Sequence, residues 1–267
     1  MTEAALQQYI FHIRPADRAV MDAARERQAE LAKPPGSLGA LEDISIRLAG
    51  ITGQVCPKMD SCRVAVFAAD NGVVDEGVSC APRSVTLQQA VNMTQRKTGM
   101  SAMAAAFGDD VAVVDVGIAA DVPGVGILDR KVRRGTGNIA VEDAMTRPEA
   151  LAAMAAGMEQ AARARADSIT ALGIGEMGIG NTSTSAAVLS VLTGADIEAV
   201  TGRGGGLTDE GFARKKDVLR RALTHRAVDK DDVLDVLCAV GGLDIAAMAG
   251  AFLGCAREHI PAAVDGF

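Results

Sequence analysis

A carboxylate set among glycines is the most chemically suggestive feature of this 267-residue sequence. It lies in Gly173-Ile174-Gly175-Glu176-Met177-Gly178-Ile179-Gly180-Asn181-Thr182-Ser183-Thr184, between a strand-like run and a helix-like one. Glycines let backbone N–H groups approach an anion. Asn181, Thr182 or Ser183 can cap a helix whose N-terminus attracts phosphate. The segment is not a Walker A loop, which would end in GK[ST]. Gly173, Gly175 and Gly178 satisfy GxGxxG formally, yet the next acid at a suitable distance, Asp196, precedes the following strand-like run instead of ending it, so a dinucleotide site is weakly indicated. Glu176 next to a bound phosphate is electrostatically unfavourable unless it accepts a proton or holds ribose hydroxyls. The plainer reading is a solvated loop carboxylate; the meeting of an acid with a phosphate-type loop favours a functional one.

Three further segments sit where a sheet would present them to a ligand, at strand ends. Asp70-Asn71-Gly72 opens a loop running to Ser79 directly after an apolar strand-like run, and Asp70 can bind a sugar hydroxyl, a metal or only its own turn. Gly202-Arg203-Gly204-Gly205-Gly206-Leu207-Thr208 carries three successive glycines, which suits close approach of the backbone to something, and Thr208 is a credible helix cap. Lys215, two turns into that helix, can reach back toward a phosphate, or with Lys216 can merely solvate a helix face. Val264-Asp265-Gly266-Phe267 resembles a strand end bearing a ligand-contacting acid. The histidines, His12, His225 and His259, have no partner at short range, so structural or exposed roles are expected. The five cysteines, Cys56, Cys62, Cys80, Cys238 and Cys255, are odd in number and lack CxxC spacing, which argues against a disulfide framework and a zinc site.

The elements that must hold these groups read as alternating strands and helices, the pattern of an α/β fold with a mostly parallel sheet. Strands are expected at Arg63–Ala69, Val111–Val116, Ser168–Ile174, more weakly at Ile197–Thr201, and at Pro261–Val264. Helices are expected over Pro15–Lys33, from Leu41 to Ile51, through Leu151–Ala162, and over Thr182–Leu192, Thr208–Leu223 and Leu243–Ala256. Lys33-Pro34-Pro35-Gly36 breaks the first of these, since proline lacks an N–H and restricts its neighbour. Residues 1–55 are expected to form a small helical subdomain beside an α/β unit over 56–267. With Lys+Arg 27 against Asp+Glu 34, the net charge of −7 argues against a nucleic-acid partner, and no Trp with one Tyr leaves few rings for base stacking. No apolar stretch approaches the ~20 residues that span a bilayer, so no membrane partner is expected, and the cysteine pattern points to a reducing cytoplasm.

Seven motifs together make the chain resemble the nicotinate-nucleotide:dimethylbenzimidazole phosphoribosyltransferase family from about Asp17 to Phe267: KPPGSLGALEDISIRLAGI, AADNGVVDEGVS, RRGTGNIA, GEMGIGNTSTSAA, DEGFARKKDVLRRAL, VGGLDIAAMAGAFLG and VDGF. The resemblance implies a Rossmann-like parallel sheet flanked by helices with a small helical subdomain, assembled as a homodimer, and no metal or redox cofactor. It implies transfer of 5-phosphoribose from nicotinate mononucleotide to 5,6-dimethylbenzimidazole or a related base, with nicotinate leaving and inversion at the sugar carbon. By resemblance Glu176 and Lys215 occupy active-site positions, Asp265 lies at a matching strand end, and Ser79, Cys80, Pro82, Val85, Gln89 and Met93 border the flat base. Two departures stand out. Asn71 replaces a usual His. Family members also continue past the DGF strand into a second Gly-Glu-Gly loop bearing the main base, for which this sequence has no equivalent; Glu258 does not match it. Three readings follow: the sequence is a piece of a longer, ordinary enzyme; or Glu176 alone serves as base in a short form of reduced rate, general-base catalysis being worth roughly 10²–10⁴-fold; or the chain is a non-catalytic or partner-dependent nucleotide- or azole-binding relative.

Overall fold

The computed structural model describes residues 1–124, 126–224 and 227–266, so His225 and Phe267 lie outside the described residues. Its centre is a five-stranded, wholly parallel sheet in the order β3-β2-β1-β4-β5. β1 spans Cys62–Ala69, β2 Asp110–Gly117, β3 Ile127–Asp129, β4 Ala171–Met177 and β5 Ala262–Val264. Ala65 through Ala69 are all buried, as a central parallel strand covered on both faces requires. This is the α/β, Rossmann-like sheet flanked by helices that the sequence implied.

Two strand expectations are corrected. Ile197–Val200 is not a strand but the single-turn helix α8, because the Asp196 side chain accepts from Glu198 N and the Thr201 hydroxyl donates back to Ile197 O. A strand was also missed at β3, a three-residue edge too short to show a period. The third expected strand is displaced: Ser168 sits in the left-handed region with φ 60°, and β4 runs on to Met177. Glu176 therefore belongs to the strand itself, in register with Phe67, and not to the loop after it.

Helices close both faces. α6 (Arg147–Ala166) begins at a capping box in which the Thr146 and Glu149 side chains each accept from the other residue's backbone N–H. It packs along α11 (Leu243–Glu258) through small residues. A Cβ on Gly157 would lie 1.9 Å from Ala247 O, and one on Gly250 2.0 Å from Met154 O, so the two backbones touch where a side chain cannot fit. α4 (Val85–Thr94) and α5 (Gly99–Phe107) follow β1, α7 (Asn181–Thr193) follows β4, and α9 (Asp209–Thr224) and α10 (Val233–Val240) lead to α11.

The N-terminal helices are α1 (Glu3–Phe11), α2 (Arg18–Glu30) and α3 (Ala40–Thr52). α2 and α3 share a small core of Ala24, Ile46 and Ala49 with Val20 and Met21 against it. The Pro34–Pro35 connection between them is pinned by Lys33 Nζ, 2.6 Å from Glu42 Oε1. The pair joins the sheet unit where Ile51 O meets His259 Nδ1 at 3.2 Å, and α1 joins it where Arg147 pairs with Glu3 at 2.7 Å. Among the described residues, no helix is long and apolar enough to cross a membrane.

Candidate active site

The carboxyl ends of β1 and β4 open onto three connecting segments. After β1 comes a 3-10 turn (Gly72–Glu76) leading to Ser79; after β4 comes the turn Gly178–Gly180 into α7; and the glycine loop 202–206 joins α8 to α9. Together they enclose a hollow of about 100 Å³ lined by Ser79, Cys80, Gly178, Asn181, Thr182, Arg203 and Gly204, among others. Gly178 has no room for a side chain: a Cβ there would meet Ala69 O at 2.1 Å, which lets this turn lie flat against the end of β1.

Glu176 does not line this hollow but is tied to its wall. Its Oε2 accepts from Asn181 Nδ2 at 2.6 Å, and Asn181 is itself part of the hollow's wall. Glu176 instead lines a neighbouring apolar cleft of about 490 Å³ formed by α7, α11 and the end of β5, with Leu189, Met248, Phe252 and Val264. Burial pushes its carboxyl up to about 7; the nearby charge of Asp244 pushes the same way, the Asn181 bond opposes, and Asp265 adds a smaller push. The acid is thus poised to exchange a proton near neutral pH.

Lys215 is the buried cation beside the site. It has no exposed surface, and its Nζ donates to Thr182 Oγ1 at 2.8 Å. Burial alone pulls its ammonium down to about 8. The solvated-face reading belongs instead to Lys216, which pairs with Glu198 at 3.0 Å and lies over the Phe212 ring. Lys215 therefore carries a charge that little inside the protein answers, 3.8 Å from where a Cβ on Gly204 would be. Across the loop, the N–H groups of Gly206 and Leu207 turn back to Arg203 O, whereas those of Gly204 and Gly205 bond to nothing among the described residues. An anion entering the hollow meets the Thr182 hydroxyl and these free amides, with the buried Lys215 ammonium 2.8 Å behind that hydroxyl.

The helix-capping expectation is corrected. The cap of α7 is Gly180, at φ 96° and without a side-chain bond, and Asn181 is already the first helical residue. Its Oδ1 takes Thr182 N at 2.8 Å, and Ser183 N and Thr184 N fold back to Gly180 O, so the start of α7 is largely self-satisfied. Thr208 does cap α9, accepting from Gly211 N at 3.2 Å.

Of the other sequence-picked residues, Ser79 lines the hollow, and Gly175 lies on β4 against Asp265, whose Cβ would be 3.5 Å from a Cβ placed on the glycine. Asp265 follows β5, with its N–H bonded to Ile174 O at 2.9 Å. Gly202 is half-buried beside the hollow without lining it, Pro82 is exposed at the entry to α4, and Gln89 is half-buried on α4. Asp70 is 2% exposed; its Oδ2 accepts from Ala119 N at 2.8 Å, so it ties β1 to β2 beneath the site and does not reach the hollow. The wall expected for a flat base is split: Cys80 faces the small hollow, while Met93 packs against the core of Ala68, Ala90, Val113 and Ile118.

Sequence reasoning missed two residues, one beneath the site and one on its wall. Asp244, in the first turn of α11, has no exposed surface, and its Oδ2 accepts from Asn71 Nδ2 at 3.2 Å. The signal was there: a single acid at the head of an otherwise apolar helix, LDIAAMAGAFLG, where an unpaired charge is rarely buried. Arg203, quoted only as a loop residue, lines the hollow while its guanidinium is held by Asp209, Leu207 O and the face of Phe212.

A family model described as Phosphoribosyltransferase matches residues 13–267. A nicotinate-nucleotide–dimethylbenzimidazole phosphoribosyltransferase from Desulforudis audaxviator (strain MP104C) is 47% identical over 263 residues, covering 98% of this chain and 74% of that protein. One of the same name from Clostridium perfringens (strain 13 / Type A) is 44% identical over 262 residues, 98% of this chain and 73% of its own. The crystal structure of CobT from Thermus thermophilus matches with a TM-score of 0.89 at 42% identity, covering 93% of this chain and 75% of that one.

Proposed function

This chain belongs to the nicotinate-nucleotide–dimethylbenzimidazole phosphoribosyltransferase family, and from that premise we propose how its site performs the transfer. The protein is a transferase that moves 5-phosphoribose from nicotinate mononucleotide to 5,6-dimethylbenzimidazole or a related base. It releases nicotinate and forms α-ribazole 5′-phosphate for the nucleotide loop of cobalamin. The donor's phosphate is met by Lys215, Thr182 and the free amides of Gly204 and Gly205. A ring nitrogen of the base attacks the sugar carbon as its bond to nicotinate breaks, and the leaving electron pair stays on the nicotinate nitrogen. The other ring nitrogen loses its hydrogen to the Glu176 carboxylate. Glu176 and Lys215 carry the chemistry; Ser79, Gly178, Asn181, Thr182 and Gly204, with Gly175, Gly202, Pro82, Gln89 and Asp265 around them, make up the rest of the proposed substrate site, while Asp70 braces the sheet beneath it.

The observation that carries this reading is one continuous bonded line, Glu176–Asn181 on one side and Thr182–Lys215 on the next residue, so that the proton acceptor and the anion anchor are set by consecutive residues of α7. The pKa values reinforce it. An acid near 7 is a serviceable base at neutral pH, and a lysine near 8 is held fully charged by a phosphate dianion beside it. The non-catalytic alternative is not favoured, since relatives matching 98% of the chain are named as the transferase.

The test is nicotinate release when nicotinate mononucleotide and dimethylbenzimidazole are supplied together to the folded protein. Nicotinate appearing only when both are present supports the reading; none above background defeats it. We further propose a cytoplasmic homodimer with residues 1–55 as a helical subdomain. The free cysteines are compatible with a reducing compartment, and Met103 and Phe107, 63% and 78% exposed on α5, provide an apolar surface for a second copy. Sedimentation at twice the chain mass is the expected result.

A further inference from the structure

A carboxylate that is wholly buried is expensive to keep unless something holds it, and the partners of Asp244 are not cations. Its Oδ1 accepts from Ile245 N at 2.9 Å and its Oδ2 from Asn71 Nδ2 at 3.2 Å. The N-terminal end of α11 offsets part of that cost through the helix dipole.

The position of the pair is specific. A Cβ on Gly178 would lie 2.9 Å from Asp244 Oδ2 and 3.1 Å from Asn71 Nδ2, so both groups press against the underside of the turn that follows β4. Asn71 N donates to Ile179 O within that turn at 3.3 Å. Thr184 Oγ1 lies 3.5 Å from Asn71 Oδ1 and donates to Asn181 O at 2.9 Å. Asn181 then holds Glu176. A line of contacts thus runs from the head of α11, through Asn71 at the end of β1, to the residue that orients the base.

We propose that Asp244 is a positioning residue for phosphoribosyl transfer: paired with Asn71 beneath the turn 178–181, it fixes the orientation in which Asn181 presents Glu176 to the substrates. This rests on the reading of Glu176 as the base. The arrangement has an electrical side as well. After burial, the charge of Asp244 is the next reason that Glu176 titrates near 7, and Asp244 is itself pushed up to about 6, chiefly by burial. The other groups facing these two acids are Asp265 after β5, Asp70 after β1, the neutral amides of Asn71 and Asn181, and Lys215 of α9 behind Thr182.

The experiment separates support from charge. Asn71→Ala removes the support and leaves the charge, so kcat falls about tenfold while the donor KM stays within about threefold and the acid limb of kcat/KM does not move down. Asp244→Asn keeps an acceptor for Asn71 and removes the charge, so that acid limb moves to lower pH by half a unit or more. Wild-type kcat in Asn71→Ala, or kcat and KM worsening together in step with a lower Tm, overturns the proposal. So does an unmoved limb in Asp244→Asn. If the wild-type protein releases no nicotinate, the functional reading fails. The pair is then judged on the Glu176 carboxyl titration followed by NMR, which Asp244→Asn shifts downward and which an unconnected Asp244 leaves in place.

Discussion

At the scale of single residues, Glu176 and Lys215 are opposite cases of one effect, burial discouraging a charge. Glu176→Gln removes the proton acceptor but keeps an amide that Asn181 can still engage. Turnover is therefore expected to fall by roughly 10²–10⁴-fold with a much smaller change in donor affinity, read as kcat against KM. The wild-type kcat/KM is expected to climb as pH rises through about 7, where the carboxyl ionises. Stability runs the other way: the folded-state pKa is raised, so the contribution of Glu176 is fully present below about 4.5 and lost as pH rises through about 7. Lys215 has a depressed value, so its contribution is present above its ordinary 10.5 and lost as pH falls through about 8. Lys215→Met is accordingly expected to melt higher than wild type at pH 7 while binding nicotinate mononucleotide at least tenfold more weakly. Thermal melts and calorimetry measure both, and a lower melting temperature with intact donor binding would contradict the role given to this lysine.

At the scale of elements, the site depends on helices that come unusually close to one another and to the sheet. α6 and α11 meet through Gly157 and Gly250, where an added Cβ would fall 1.9 Å and 2.0 Å from facing carbonyl oxygens. Neither neighbour is a flexible side chain, so Gly157→Ala must push the helices apart. Overpacking of this kind costs about 1–3 kcal/mol, and because α11 carries Asp244 at its head, activity is expected to decline along with the urea midpoint. Where the elements begin and end was legible when local chemistry was strong. The apolar run of β1 and the Thr208 cap appear in the sequence as they do in the fold. It was not legible at Ile197–Val200, where β-branched residues suggested a strand but Asp196 caps a helical turn, nor at β3, whose three residues exist as a strand because β2 lies beside them.

At the scale of the whole molecule, donor binding should be visible as stability. A ligand that binds only the folded state at about 100 times its Kd adds roughly 2.7 kcal/mol by mass action. Nicotinate mononucleotide is therefore expected to raise the Tm of the wild-type protein by several degrees, and to raise that of Lys215→Ala far less at the same concentration. Differential scanning calorimetry decides it, and equal shifts in both proteins would remove the phosphate anchor from the hollow formed by the segments after β1, β4 and α8.

What the amino-acid sequence determined by itself was the parallel α/β plan and the glycine- and acid-bearing segments that follow β1, β4 and β5, with Glu176 and Lys215 marked out as candidates. Each of these depends on residue type and short spacing, which are local properties. Only the tertiary structure decided that Glu176 belongs to β4 and leans on Asn181, that Lys215 rather than Lys216 turns inward, that Asp70 braces β2 instead of facing the hollow, and that Asp244 lies beneath the turn. Burial and the distance between residues 71 and 244 arise from packing across the sheet, and no periodicity in the chain encodes which side of a close-packed interface a given charge will occupy.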